Sequence, residues 1–446
     1  MFARAAFCDV TPRDRPIELA GFVERRISST VLDPIEISAL LLESDSSRCL
    51  ILSFDLMFVG SELESMLLPR LTSLGFAPSD VMLLASHTHN APATDRACKP
   101  LGTTDSKFVS DAADAVEGLV RRIEDEPPAK LSLDIFRGRL NHSLNRRRRW
   151  PFPTLNRTHG LKWRSVAFSP NPSGPKDEEA TVIVLRNLDD GKALALFWHY
   201  ACHPTAAGGI DGLSADYPGA VRSLLRERFG ETPCLFAQGF CGDVTANLPP
   251  SRQKFTLRNE FKRIRRMVAA GYLFRDVTPA DRLAWIQSLA AAVDNIVKGN
   301  PATTHVPERL SAGSASIALD HFFTGQAPYK RLTARVARID QLLEIVALSA
   351  EPTIEWIGIF DRVAPRVSQQ IRLYTGYLGT VFGYLPTAKQ VAEGGYEVEG
   401  FQSLFGLSGH FESGQIEPVV TACFKCAYED MERKASRRGS LATASP

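Results

Sequence analysis

The chain has 446 residues, 44% apolar and 23% charged, and its 52 Lys and Arg against 50 Asp and Glu leave a net charge of +2. That apolar content excludes an intrinsically disordered chain, and the balanced charge excludes a protein that coats a polyanion such as nucleic acid. No apolar run reaches the ~18 to 20 residues that cross a bilayer.

In chain order, residues 1–9 carry one basic residue and no sustained apolar stretch, so no secretory signal is expected and a cytoplasmic protein is. The runs 37–42, 49–54 and 81–85 read as buried strands. Between the last two, Leu63, Met66, Leu67 and Leu71 have helical spacing. This β-α-β rhythm predicts an α/β fold, one large mixed-sheet domain over 1–430. Residues 107–124 form a second amphipathic helix, closed by Glu126-Pro127-Pro128. Strands are expected at 129–136, 180–186, 194–202 and 235–238, with a helix running to Phe229 after Ser214-Ala215-Asp216-Tyr217-Pro218.

From 251 the texture changes, and 251–350 is expected as a helical insert or subdomain. A basic, aromatic stretch at 252–275 reads as the core face of a surface helix or as a lid. A helix at 279–298, a strand at 310–319 and another helix to about Leu348 follow. Residues 431–446 read as a disordered tail. The eight cysteines are too sparse for a disulfide-stapled domain. Cys423 and Cys426 read as two thiols one turn apart on a helix.

The chemistry gathers at strand ends. Ser86-His87-Thr88-His89-Asn90 follows the apolar run 81–85. On an extended segment His87 and His89 point to one side, so they converge on one metal ion, or one binds while the other handles protons. His199 and His203 end the strand beginning near Leu194 and share a face by the same period. Three of these histidines, His87, His89 and His203, fit zinc with a position left for water. Asp55 after its buried strand reads as an orienting carboxylate for a histidine or as a strand cap. Asp216 reads as a site residue or as turn chemistry.

Taken in order, His87-Thr88-His89, Asn145-Arg146, His203-Pro204-Thr205, Ala237-Gln238-Gly239-Phe240-Cys241-Gly242-Asp243-Val244, Glu351-Pro352 and Gly383-Tyr384-Leu385-Pro386-Thr387 resemble the motifs of the neutral/alkaline non-lysosomal ceramidases, in their N-terminal zinc hydrolase domain. The family carries T-H-T-H-S-G-P, N-R, H-x-T, A-Q-x-x-x-G-D-V, G-E and a late Y-x-T-T. The resemblance spans about residues 5 to 415 and suggests a divergent intracellular member without the family's C-terminal immunoglobulin-like domain.

The resemblance implies one zinc per chain, held by His87, His203, Glu351 and Tyr384, with Glu355 the alternative carboxylate. It places His89 and Arg146 beside the metal, with Tyr384 and Arg146 facing the developing oxyanion. The implied reaction is hydrolysis of an N-acyl amide by attack of a metal-bound water, on a small or lipid-like substrate, in lipid metabolism. Asn90, Asn145, Arg147, Asp216 and Tyr396 are the expected substrate contacts. Where the family has Ser-Gly-Pro this chain has Asn90-Ala91-Pro92, and the basic run Arg146–Arg149 is longer. Its later arginines read as receivers of a substrate anion or as a solvated loop. The alternatives are a zinc esterase or deacetylase on a smaller polar biosynthetic intermediate, and a non-catalytic binding protein on the same scaffold.

Overall fold

The computed structural model describes residues 1–45, 47–150, 153–156, 160–163, 166–248, 274 and 277–442, with side chains described for 1–45, 47–150, 166–248, 274 and 277–436. Nine strands form the large sheet: β1 Phe2–Asp9, β2 Glu36–Ser44, β3 Ser47–Phe54, β4 Val81–Ala85, β5 Ala129–Arg139, β6 Glu179–Asn187, β7 Ala193–Tyr200, β8 Cys234–Gln238 and β9 Thr303–His305. Their order is β8-β7-β6-β5-β1-β2-β3-β4, with β9 against β5. A second sheet of four strands, β10 Leu310–Ala318, β11 Arg331–Ile339, β12 Leu343–Leu348 and β13 Ile371–Thr375, runs in chain order. Most pairs are antiparallel. Three within these two sheets are parallel: β3 with β4, β7 with β8, and β12 with β13.

The near-continuous apolar runs of β2, β3 and β4 arise because both faces of the large sheet are covered. Leu40, Leu42, Ile51, Met82, Leu84 and Phe197 turn inward against Ile339, Ile345 and Leu373 of the second sheet. On the outer face, Leu41, Leu52 and Leu83 meet α1 (Gly60–Ser73) and α2 (Ser106–Asp125) through Leu67 and Val116. Val182, Trp198 and Phe236 meet α3 (Tyr217–Phe229) and α4 (Pro279–Val297) through Leu225 and Leu289. The outer face of the second sheet is closed by the last long helix, Ser413–Ala442, through Val420, Phe424 and Met431. The result is a helix–sheet–sheet–helix stack, the α/β mixed-sheet architecture expected. No helix among the described residues is long and apolar enough to cross a membrane.

Three expectations change. After α4, the strand expected at 310–319 stands as β10, but β9 precedes it and the hairpin of β11 and β12 stands where a helix to about Leu348 is expected, so 251–350 is not a helical insert over its described part. Leu332, Val336, Ile339 and Leu343 are three or four apart, as on a helix face. A strand buried on both sides gives the same spacing, and here Leu332, Ala334 and Val336 face the last helix while Ala337 and Ile339 face the large sheet. Asp340, at φ 50°, turns the chain between the two strands. The expected tail from 431 begins as helix, because Met431 is still a core residue. Finally, Arg147–Arg149 is no solvated loop. It lies in the strand Ser143–Arg149, central in a three-stranded sheet, with Arg146 and Arg147 buried. The basic stretch 252–275 lies outside the described residues apart from Phe274.

Candidate metal centre

Each parallel pair sends one or both of its chains out at the carboxyl end into the same place, where α/β sheets commonly bind ligands. β4 leads into His87 and His89, β7 into His203, and β8 into the turn that ends at Asp243. β12 leads into Glu351 and β13 into Tyr377. Beyond them Glu351–Pro352 pairs in parallel with Tyr384–Leu385, with Glu351 opposite Tyr384.

The three histidines are buried, and their metal-ligating atoms lie within 4.8 Å of one another. Nε2 of His87 is 3.0 Å from Nε2 of His203 and 3.3 Å from Nε2 of His89. Behind each ring, Nδ1–H meets a backbone carbonyl: His87 to Met57 at 2.9 Å, His89 to Gly21 at 2.8 Å, His203 to Cys241 at 3.2 Å. Those bonds assign the tautomer and leave three Nε2 lone pairs facing each other. A carboxylate oxygen, Oε2 of Glu351, stands 3.4 Å from His87 Nε2 and has no hydrogen-bond partner. Crowded lone pairs and an orphaned buried carboxylate oxygen are unfavourable without a cation. Imidazole and carboxylate together suit a divalent ion of the zinc type, so the residues fit a metal.

The convergence of His87 and His89 does not come from an extended backbone. His87 sits at φ 67°, in the left-handed region, and this turn brings its ring back beside His89. Burial and then the neighbouring His87 hold the pKa of His89 well below the ordinary value. The same two causes act in that order on His203.

Beside the histidines, Arg146 donates from Nη2 to the Tyr384 hydroxyl at 3.0 Å and to the Gly242 carbonyl at 2.6 Å, and pairs through Nε with Glu397 at 3.1 Å. Its guanidinium lies 5.6 Å from the ring centroids of both Tyr384 and Tyr396. Burial opposes its charge, but Tyr384, Glu397 and Tyr396 outweigh burial and hold its pKa above the ordinary value. Tyr384, Tyr396 and Arg146 thus form one wall.

The other expected residues are engaged elsewhere. Asn90 spends its amide on the carbonyls of Gly212 at 2.9 Å and Ile210 at 3.3 Å, clamping that loop. Asn145 ties Asp243 at 3.2 Å to the Pro175 carbonyl at 3.0 Å. Arg147 pairs with Glu397 at 2.8 Å and Glu393 at 3.2 Å. Asp216 caps α3 and accepts from the Ala207 and Tyr217 amides, both at 2.6 Å, and burial pushes its pKa up to about 7. Asp55 pairs with Arg222 at 2.5 Å and orients no histidine. Glu355 pairs with Lys389 at 2.6 Å. His199 bonds the Tyr374 carbonyl at 2.9 Å and lines a cavity of about 680 Å³ with Ile354, Glu355 and Arg372, a cavity that none of the three clustered histidines lines.

Sequence reading missed Glu397, which serves both arginines, and Arg26, which donates to the His89 carbonyl. It also missed Gly21, whose φ of 105° and absent side chain let the His89 ring pass. No local pattern marks any of them.

No family model and no curated protein matches this sequence. Solved structures do. A ceramidase complexed with C2 superposes with a TM-score of 0.70 at 13% identity, covering 94% of this chain and 73% of the other. Neutral ceramidase from Pseudomonas aeruginosa gives 0.71 at 15% identity, covering 97% and 74%. At such identities the likeness is one of fold, and the fold of this chain is that of the neutral ceramidases.

Proposed function

We propose that this chain is a zinc-dependent, ceramidase-like amidohydrolase that cleaves an N-acyl amide of a lipid-like substrate. The observation that carries the reading is the buried meeting of three imidazole Nε2 atoms with an unpartnered Glu351 oxygen. The likeness of fold to two ceramidases supports the choice of reaction. His87, His203 and Glu351 would hold one zinc, with Tyr384 completing the set. The ion supplies Lewis acidity toward the scissile carbonyl and brings the pKa of a coordinated water to about 7.

The chain's own groups do the rest. His89 takes a proton at Nε2 from the attacking water and returns it to the leaving amine nitrogen. Its Nδ1–H, held by the Gly21 carbonyl, keeps the ring in the tautomer that can do so. The Tyr384 oxygen accepts from Arg146, which holds that oxygen in place and brings the guanidinium charge beside the position of the oxyanion. Arg147 is tied to two glutamates, and so adds no support to an acidic small substrate.

The test is metal content per chain in the wild type beside His203→Ala, followed by release of free fatty acid from a panel of N-acyl amides. One zinc per wild-type chain, lost in the variant together with hydrolysis, is the expected result. Absence of bound metal when zinc is supplied, or zinc without cleavage of any amide, overturns it.

A further inference from the structure

Tyr377 touches the segments that carry Glu351 and His87 and, through Cys241, the turn that holds His203. It is fully buried just past β13. Its N–H donates to the Ala350 carbonyl at 3.0 Å, one residue before Glu351, and its carbonyl accepts from the Ala85 amide at 3.2 Å, two residues before His87. Its ring stacks on the His87 imidazole, with centroids 4.1 Å apart and planes at 26°. Phe58 also packs on that imidazole, at 5.1 Å. The Tyr377 hydroxyl meets Sγ of Cys241 at 3.1 Å, and that sulfur also receives Nε2 of Gln238 at 3.0 Å. The Cys241 carbonyl holds Nδ1 of His203.

One side chain therefore joins the outer side of two imidazoles that arrive on different strands. Tyr377 does this from φ 59°, a left-handed backbone that is an outlier for a bulky aromatic residue. Residues held at such angles persist where the surroundings over-determine them, and they gather at functional sites.

We infer that Tyr377 is a positioning residue of the metal centre. Its ring fixes the plane of His87, and its hydroxyl, through Cys241, fixes the turn that orients His203. The inference rests on the reading that these histidines bind the ion. A ligand ring already aimed at the metal surrenders less rotamer freedom when the ion binds, and outer contacts of this kind typically contribute roughly 10–100-fold in metal affinity.

The experiment is zinc affinity by chelator competition, with the visible spectrum of the cobalt-substituted protein as a second readout. The proteins are the wild type, Tyr377→Leu, Tyr377→Phe, Cys241→Ala and the Tyr377→Phe/Cys241→Ala double variant. Tyr377→Leu is expected to weaken zinc by roughly 10–100-fold and to shift the cobalt bands. Tyr377→Phe keeps the stack and should weaken zinc by a smaller factor, and Cys241→Ala, which also loses the Gln238 contact, by at least as much. The double variant should be no worse than Cys241→Ala alone, because Tyr377→Phe cuts a link that Cys241→Ala has already removed. Should Tyr377→Leu fail to fold, Tyr377→Phe and the cycle decide alone. Wild-type affinity and spectrum in the variants, or losses that add in the double variant, overturn the inference while leaving the metal reading intact. A wild type that binds no zinc overturns both.

Discussion

Two histidines separated by one threonine have different neighbours behind them, and this sets apart what their loss should do. His87 is gripped on its ring by Tyr377, on Nδ1 by Met57, and on Nε2 it faces both His203 and Glu351. It stands at the middle of the donor set. His89 meets only His87 through Nε2, rests on Gly21, and is the most exposed of the three histidines at 9%. The expected outcome is a split. His87→Ala loses the metal and the activity together. His89→Ala keeps about one zinc per chain, while kcat falls by about 10² to 10⁴, the usual worth of a positioned acid–base group. Metal analysis beside kinetics on the two purified variants checks this, and equal loss of zinc in both would make His89 a ligand and not a proton carrier.

At the scale of elements, the strands that place the histidines were legible because 81–85 is an unbroken apolar run and 194–202 is apolar but for His199. The three clustered histidines followed, since each comes directly after such a run. What escaped the sequence depends on contacts far along the chain. Glu351 is marked by nothing local and entered only through a resemblance. Glu397 is 251 residues from Arg146, and Tyr377 is 136 from Cys241. The hairpin of β11 and β12 was read as helix because a doubly buried strand places apolar residues at helical intervals. Its turn carries the information that the spacing hides. Asp340 accepts from His305 Nε2 at 2.7 Å and from the amides of Glu308 at 3.1 Å and Arg309 at 3.0 Å. It therefore fastens the hairpin to the strand that leads into it. Asp340→Ala retains a Cβ at the left-handed position and loses all three acceptor contacts, so a cost of about 1–3 kcal/mol is expected. Denaturant unfolding with an unchanged m-value would show that cost, and a variant as stable as the wild type would show that the turn is held by its strands alone.

For the whole molecule, the candidate metal centre is also a joint. His87, His89 and His203 follow strands of the large sheet, whereas Glu351 leaves the second sheet, and the two sheets otherwise meet through apolar side chains and a few hydrogen bonds such as Thr375 Oγ1 to the Gln238 carbonyl at 2.8 Å. An ion held by His87, His203 and Glu351 would add a further polar link between the layers and relieve the crowding of the imidazole lone pairs at 3.0 and 3.3 Å. Because the unfolded chain has no such site, binding stabilises the fold by about 4 kcal/mol when free zinc is 1,000 times its dissociation constant. For a chain of 446 residues this corresponds to a melting temperature roughly 4 °C higher. A chelator should remove that increment from the wild type and from His89→Ala, but not from His203→Ala, which has no increment to lose. Calorimetry on the three proteins separates the cases. A chelator shift that persists in His203→Ala would mean that the stabilising ion sits elsewhere, and the sheets would then be held at this end by packing and their own hydrogen bonds.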